Sequence, residues 1–269
     1  MSANSAGRTL DPSRIALERV SPSGPAPGSG LLFLHGLFGK PADWEPSLEH
    51  FSSRWRVLAP ELPVFDLPAD QIDVTGLAAY ARDLMDQNNL ETAVLSGNSL
   101  GGHVALALAL THPERVSALV LAGSSGLFER GHGRVPRKPS REYLYARIRE
   151  VFYDEAHVTD SLMDEVSKTI YDRKRMCRVY RVAASAKRNN LRESLAKIQC
   201  PVLVVWGSND LITPPEMAQE FADRLPDAEL QFIDRCGHAV PIERPAEFNH
   251  LLENFLHRRF GFASALCHD

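Results

Sequence analysis

Short apolar runs alternate with amphipathic, helix-forming segments along most of this 269-residue chain. The runs at residues 31–34, 116–122 and 201–206 are almost entirely apolar, which is typical of strands buried on both faces of a parallel sheet. Between them lie segments with apolar residues at three-and-four spacing, such as residues 74–87. This alternation predicts an α/β fold, in which a mostly parallel sheet is flanked by helices on both faces.

A second constraint is the G-x-S-x-G pattern around Ser99, which stands between an apolar run and a run of Ala and Leu. Such a pattern between a strand and a helix is typical of a nucleophile elbow. A serine on this turn adopts a strained backbone conformation, and Gly97 and Gly101 leave the room that it needs. The pattern therefore predicts that Ser99 presents its hydroxyl at one edge of the sheet. The alternative is an ordinary turn in which that hydroxyl caps the helix.

A serine hydroxyl is a weak nucleophile at neutral pH, so Ser99 needs a base within hydrogen-bonding reach and a carboxylate that orients the base. Asp210 and His238 each follow an apolar, strand-like run, so both are expected at the carboxyl edge of the sheet with Ser99. The chain order Ser99, Asp210, His238 is the order of hydrolases with this kind of elbow. The alternative acids are Asp223, within a predicted helix, and Asp234, close along the chain to His238.

Acyl transfer also requires N–H donors aimed at the oxyanion that develops on the attacked carbonyl group. The N–H of Leu100 follows the elbow at the start of a helix, and we predict it as the first donor. The loop after the strand at residues 31–34 supplies the second, for which we predict the N–H of Leu37. His35 precedes this turn, and we interpret it as a structural histidine that holds the loop.

The alternation breaks between residues 124 and 195, where helical patterns follow one another without a strand-like run. We predict a helical cap at residues 124–195, inserted into a core of residues 1–123 and 196–269. Residues 127–195 carry 16 Lys and Arg against 10 Asp and Glu, although the whole chain has a formal charge of −4. The excess fits solvated helix faces. The alternative hypothesis is that arginines and lysines of residues 173–181 attract an anionic substrate.

Composition excludes several classes of function. No stretch approaches the roughly 18 apolar residues that span a bilayer, and residues 1–10 lack the apolar segment of a secretory signal, so we expect a cytoplasmic protein without a membrane partner. The charge of −4 and a pI near 6.2 argue against nucleic-acid binding. No metal or organic cofactor is predicted, and homo-oligomer formation is left open. Scattered cysteines without a C-x-x-C pair predict reduced thiols: Cys177, Cys200, Cys236 and Cys267.

Four motifs together resemble the α/β-hydrolase superfamily: His35-Gly36-Leu37, the elbow at residues 97–102, the sequence WGSND at residues 206–210, and Cys236-Gly237-His238. The resemblance covers residues 14–260 and implies the fold and the serine triad. Within the superfamily, the elbow and the residues around His238 are similar to those of carbon–carbon hydrolases that cleave ring-fission products. Those enzymes usually carry an aromatic residue after the histidine, where this chain has Ala239. Their cap arginine would correspond to one of several here, such as Arg173 or Arg188.

These observations predict a serine hydrolase that uses Ser99, His238 and Asp210 to hydrolyse a small carboxylic ester or related carbonyl substrate through an acyl-enzyme. The first alternative is a carbon–carbon bond hydrolase that acts on ring-fission diketones. Acyl transfer to an alcohol or thiol is a second alternative. A non-catalytic ligand-binding protein with a hydrolase fold is the alternative from another class.

Overall fold

A seven-stranded sheet forms the centre of the computed structural model, which describes residues 18–19, 29–127, 136 and 138–261. The strands are β1 (Glu18–Arg19), β2 (Ser29–Leu34), β3 (Val57–Leu58), β4 (Thr92–Asn98), β5 (Val116–Ala122), β6 (Val202–Gly207) and β7 (Ala228–Ile233). Their order is β1-β3-β2-β4-β5-β6-β7, with β1 antiparallel to β3 and all other neighbours parallel. The predicted α/β fold is confirmed. Before β2, only residues 18–19 lie within the described part of the chain.

Helices cover both faces of this sheet. The helices of the described residues, including those between β5 and β6, are α1 (Glu45–Phe51), α2 (Val74–Gln87), α3 (Leu100–Thr111), α4 (Arg141–Ile148), α5 (Asp160–Tyr171), α6 (Arg173–Arg188), α7 (Pro215–Arg224), α8 (Val240–Glu243) and α9 (Pro245–Phe260). Because side chains alternate along a strand, Leu32 and Leu34 of β2 pack with residues of α2 and α3, whereas Leu31 and Phe33 pack with residues of α1 and α9. The sheet therefore has a hydrophobic core on each face.

The segment between β5 and β6 contains α4, α5 and α6 and no strand among its described residues. Residues 128–135 and 137 of this segment lie outside the described chain. Helix α6 lies against the core, where Ser185 Oγ accepts a hydrogen bond from the Val74 N–H at 3.1 Å. Helices α4 and α5 pack around a third hydrophobic cluster, which also contains Ala239. The division into a core and a cap at residues 124–195 stays a prediction.

Cys177, Cys200 and Cys236 are free thiols, and Cys267 lies outside the described residues. Burial raises the pKa of Cys200 to about 11, and burial followed by the nearby Glu243 carboxylate raises the pKa of Cys236 to about 12. These two thiols are therefore protonated at neutral pH. No helix in the described part of the chain is long and apolar enough to cross a membrane.

Candidate active site

Ser99 alone makes the turn between β4, which ends at Asn98, and α3, which begins at Leu100. Its backbone has φ 55° and ψ −116°, a conformation that typically costs about 1–3 kcal/mol for a residue other than glycine. The flanking glycines leave the room that this turn requires. A Cβ atom at Gly97 would lie 2.3 Å from the carbonyl carbon of Gly101, and one at Gly101 would lie 2.0 Å from the Leu34 oxygen. The Ser99 side chain makes no capping hydrogen bond to α3, so the alternative of a simple helix cap is wrong.

A carboxylate and an imidazole are paired at the ends of β6 and β7. The Nδ1 atom of His238 is 2.8 Å from Oδ2 of Asp210, and both residues are buried. The other oxygen of Asp210, Oδ1, accepts the N–H groups of Ile212 at 2.8 Å and Thr213 at 2.9 Å. Because Nδ1 faces a carboxylate, this nitrogen carries the hydrogen and Nε2 is left as the basic nitrogen. The alternative acids Asp223 and Asp234 are both exposed.

The side chain of Asn98 connects the elbow to the histidine loop. Its Nδ2 donates hydrogen bonds to the carbonyl groups of Ala122 at 2.9 Å and His238 at 3.0 Å. At the end of β5, a Cβ atom at Gly123 would lie 3.1 Å from His238 Nδ1 and 3.2 Å from Asp210 Oδ2. The structure therefore brings Ser99, Asp210 and His238 to the same edge of the sheet, as the sequence predicts.

Thr213 is a residue of this site that the sequence analysis missed. Its hydroxyl oxygen is 2.8 Å from Asp210 Oδ2 and 3.1 Å from His238 Nδ1, and its carbonyl group accepts the indole N–H of Trp206 at 2.8 Å. Thr213 stands three residues after Asp210 and before Pro214, a spacing at which an Asp side chain commonly accepts main-chain N–H groups in a turn. That spacing is the signal that could have located it.

The loop after β2 lies beside Ser99, because a Cβ atom at Gly36 would be 3.5 Å from Ser99 Cβ. His35 holds this loop, as predicted. Its Nε2 accepts the Leu62 N–H at 2.9 Å, and its Nδ1 donates to the Gly36 carbonyl at 2.7 Å. Among the described residues, none accepts a hydrogen bond from the N–H of Leu37 or Leu100. The assignment of these two N–H groups as oxyanion donors stays a prediction.

Two buried histidines, His35 and His103, are expected to make the free energy of unfolding depend on pH. Burial lowers the pKa of His35 and of His103 to about 4, although hydrogen bonds to the carbonyl groups of Gly36 and Asn189 act in the opposite direction. In the unfolded chain both histidines have their ordinary pKa of 6.5. The unfolded chain therefore binds more protons than the folded chain between pH 6.5 and pH 4. We expect the free energy of unfolding to fall by about 2 kcal/mol per histidine between pH 7 and pH 5.

Urea unfolding at a series of pH values measures this slope. Because glutamine does not titrate, His103→Gln is expected to remove about half of the decrease in the free energy of unfolding between pH 7 and pH 5. His250→Gln serves as the control, since His250 is exposed on α9. A free energy of unfolding that stays constant from pH 7 to pH 5 would contradict the prediction.

Comparison with known proteins gives the same architecture. The sequence model of the alpha/beta hydrolase family matches residues 31–251, a range that includes Ser99, Asp210 and His238. A 2-hydroxy-6-oxononadienedioate/2-hydroxy-6-oxononatrienedioate hydrolase from Cupriavidus pinatubonensis is 30% identical over 189 residues. The aligned part is 65% of this chain and 65% of that protein, so the chain spans just under two thirds of that relative's length.

Two solved structures are similar over most of their length. An alpha/beta hydrolase enzyme from the metagenome of sediments of the Mar Chica lagoon, Morocco, is 34% identical with a TM-score of 0.73, covering 90% of this chain and 94% of that one. A serine hydrolase from the polyaromatic hydrocarbon-degrading bacterium Cycloclasticus zankles is 25% identical with a TM-score of 0.74, covering 87% of this chain and 92% of that one.

Proposed function

Because this chain belongs to the alpha/beta hydrolase family, we propose that it is a serine hydrolase that cleaves a small carboxylic ester through an acyl-enzyme. One observation carries the proposal. The His238–Asp210 pair, with its 2.8 Å hydrogen bond, lies at the edge of the sheet where Ser99 makes its strained turn. A nucleophile, a base and an acid that orients the base are the groups that acyl transfer requires.

The reaction follows from the chemistry of these three side chains. Ser99 Oγ attacks the ester carbonyl carbon while His238 Nε2 takes the hydroxyl proton, and Asp210 stabilises the imidazolium. The tetrahedral intermediate expels the alcohol, which takes that proton, and Ser99 keeps the acyl group. Water then attacks the acyl-enzyme with His238 as base, and the carboxylic acid leaves as Ser99 recovers its proton.

We assign the N–H groups of Leu37 and Leu100 as the donors that stabilise the oxyanion. The assignment is supported by the absence of a partner for either N–H among the described residues, and by the position of Leu100 as the first residue of α3. Donors at a helix N-terminus favour negative charge. Loss of one such donor typically costs on the order of 3 kcal/mol of transition-state stabilisation.

Carbon–carbon bond hydrolysis is the second candidate, and the name of the Cupriavidus relative favours it. Two features support an ester instead. Ala239 stands where the ring-fission hydrolases usually have an aromatic residue, and the side chains of Arg173 and Arg188 are exposed.

The cationic side chains of α6 bear on whether the substrate is anionic. Two of them already contact the core loop before α2. The guanidinium of Arg175 lies 4.2 Å from the centroid of the Phe65 ring, and Arg178 donates to the carbonyl group of Leu67 at 2.9 Å. These contacts favour a structural role for both arginines, so an anionic substrate would depend on others of the series, such as Arg181, whose side chain is exposed.

A substrate panel tests the proposal. We expect short-chain p-nitrophenyl esters to be hydrolysed with a higher kcat/KM than a ring-fission diketone, and a fluorophosphonate probe to label Ser99. An ester and its carboxylate-bearing analogue, compared at low and high salt, test for anionic preference, because exposed charges are screened by salt. A diketone preferred over all esters would establish the second candidate. Absence of labelling at Ser99 would favour a non-catalytic binding protein.

A further inference from the structure

Glu243 places one buried carboxylate between two segments that are far apart in the sequence. It is the last residue of α8, and its side chain is 8% exposed. Oε2 accepts the N–H of Gly237 at 2.6 Å. Oε1 accepts the N–H groups of Tyr153 at 2.7 Å and Asp154 at 3.0 Å. The carboxylate therefore fastens the residue before His238 to the segment that follows α4.

Further contacts join the same two segments independently of Glu243. The N–H of His238 donates to the carbonyl group of Val151 at 2.8 Å. Gly237 is closely enclosed, because a Cβ atom there would lie 2.7 Å from the Val151 oxygen and 2.8 Å from the Tyr153 nitrogen. On the other side of the histidine, Ala239 is buried in the hydrophobic cluster of α4 and α5. Residues on both sides of His238 thus belong structurally to the helical segment between β5 and β6.

The physical cost of disturbing this arrangement is high. Hydrogen bonds from N–H groups to a carboxylate are shorter and stronger than bonds between neutral groups. A buried N–H group that loses its acceptor still carries its full desolvation penalty, because no hydrogen bond compensates for the lost water. A glutamine at position 243 would turn one of the two acceptor oxygens into a donor that faces main-chain N–H groups. Glu243→Gln therefore breaks the carboxylate link on at least one of its two sides while keeping the size of the side chain.

We propose that Glu243 is a positioning residue that fixes the loop of His238 to residues 151–154. The location of the catalytic base then depends on the helical segment between β5 and β6. The inference rests on the proposed role of His238 as the base. Glu243 touches neither Ser99 nor the reacting atoms in this scheme. It acts through the main chain of Gly237, one residue before the base.

Hydrogen–deuterium exchange together with steady-state kinetics tests the proposal. In Glu243→Gln, we expect the amides of Gly237, Tyr153 and Asp154 to exchange about tenfold faster or more, and to do so together. We expect kcat for a p-nitrophenyl ester to fall by about 10- to 100-fold, with KM changed by less than about threefold, because displacement of the base affects the chemical step. Glu243→Asp, which keeps the charge, is expected to retain more of kcat than Glu243→Gln.

Glu253→Gln is the matched control. Glu253 is also 8% exposed and bonded, to Arg54 and His50, but it lies on α9 away from the histidine loop. We expect this variant to lose stability and to keep kcat. The proposal is overturned if Glu253→Gln lowers kcat as much as Glu243→Gln, or if the amides of Gly237 and Tyr153 respond separately.

The exchange experiment also separates this proposal from the proposed function. If Ser99 is not labelled by a fluorophosphonate, the esterase assignment fails, whereas coupled exchange of the two segments still reports on the attachment. If neither Glu243 variant folds, exchange in the unaltered protein decides. The amides of Gly237, Tyr153 and Asp154 are then expected to open with one common rate, and unrelated rates would refute the coupling.

Discussion

Ser99→Ala is expected to lower kcat for ester hydrolysis by about 10⁵-fold or more, because the variant has no atom that can form the acyl-enzyme. The oxyanion donors and the binding pocket would remain, so a small rate above that of uncatalysed hydrolysis is expected to persist. Stability should change by less than about 1 kcal/mol, since the Ser99 side chain makes no capping hydrogen bond to α3. Steady-state kinetics and thermal unfolding measure the two quantities.

Ser96→Ala is the matched control for this prediction. Ser96 lies on the same strand, three residues before the nucleophile, and is completely buried. Its hydroxyl has no hydrogen-bond partner among the described residues, so its removal leaves no other donor or acceptor unsatisfied. We expect this variant to keep full activity. Retention of more than about 1% of kcat by Ser99→Ala would remove Ser99 from the reaction.

Asp210→Asn is expected to lower kcat by about 10⁴-fold while leaving the fold intact. The reason lies in the hydrogen bonds of the two carboxylate oxygens. Oδ1 accepts two main-chain N–H groups, from Ile212 and Thr213, so the amide oxygen of asparagine will take that position. The amide NH₂ group then faces His238 Nδ1, which must become an acceptor. The hydrogen moves to Nε2, and the imidazole can no longer accept the proton of Ser99.

The alternative acids provide the controls for Asp210→Asn. Asp223 and Asp234 are both exposed, and Asp223 Oδ1 accepts the side-chain amide of Gln219 at 2.8 Å. Asn substitutions at these two positions are expected to leave kcat within about twofold of the unaltered protein. A loss of activity in Asp234→Asn that matched the loss in Asp210→Asn would assign the acid differently.

The elbow and the strand-end positions could be predicted because their signals are local. Apolar runs of four to seven residues identify buried strands, and two glycines around one serine identify a turn that other residues would block. The close approach of Gly97 and Gly101 in the structure is the physical counterpart of that pattern. Since parallel strands end at one edge, the positions after β4, β6 and β7 were expected to meet there.

Glu243 had no comparable signal, and the spacing of Thr213 from Asp210 indicates only a turn, not a contact with His238. Thr213 was missed because its contact with His238 depends on how two strand-end loops pack, 25 residues apart in the chain. Glu243 was missed because its three main-chain donors come from two loops, and a lone Glu after an apolar stretch is ordinarily a surface residue. A local sequence pattern can indicate nearby N–H donors, as it does for Asp210, but none encodes which N–H groups of distant loops a carboxylate will meet.

The sequence by itself determined the α/β fold and the turn on which Ser99 stands, because periodicity and steric room at a turn are properties of neighbouring residues. Only the tertiary structure decided that Asp210 is the carboxylate bonded to His238 and that Glu243 fastens the histidine loop to residues 151–154. These partners are separated by 28 and up to 90 residues. A hydrogen bond over such a separation depends on a few tenths of an ångström in the packing of whole elements, which the sequence does not display.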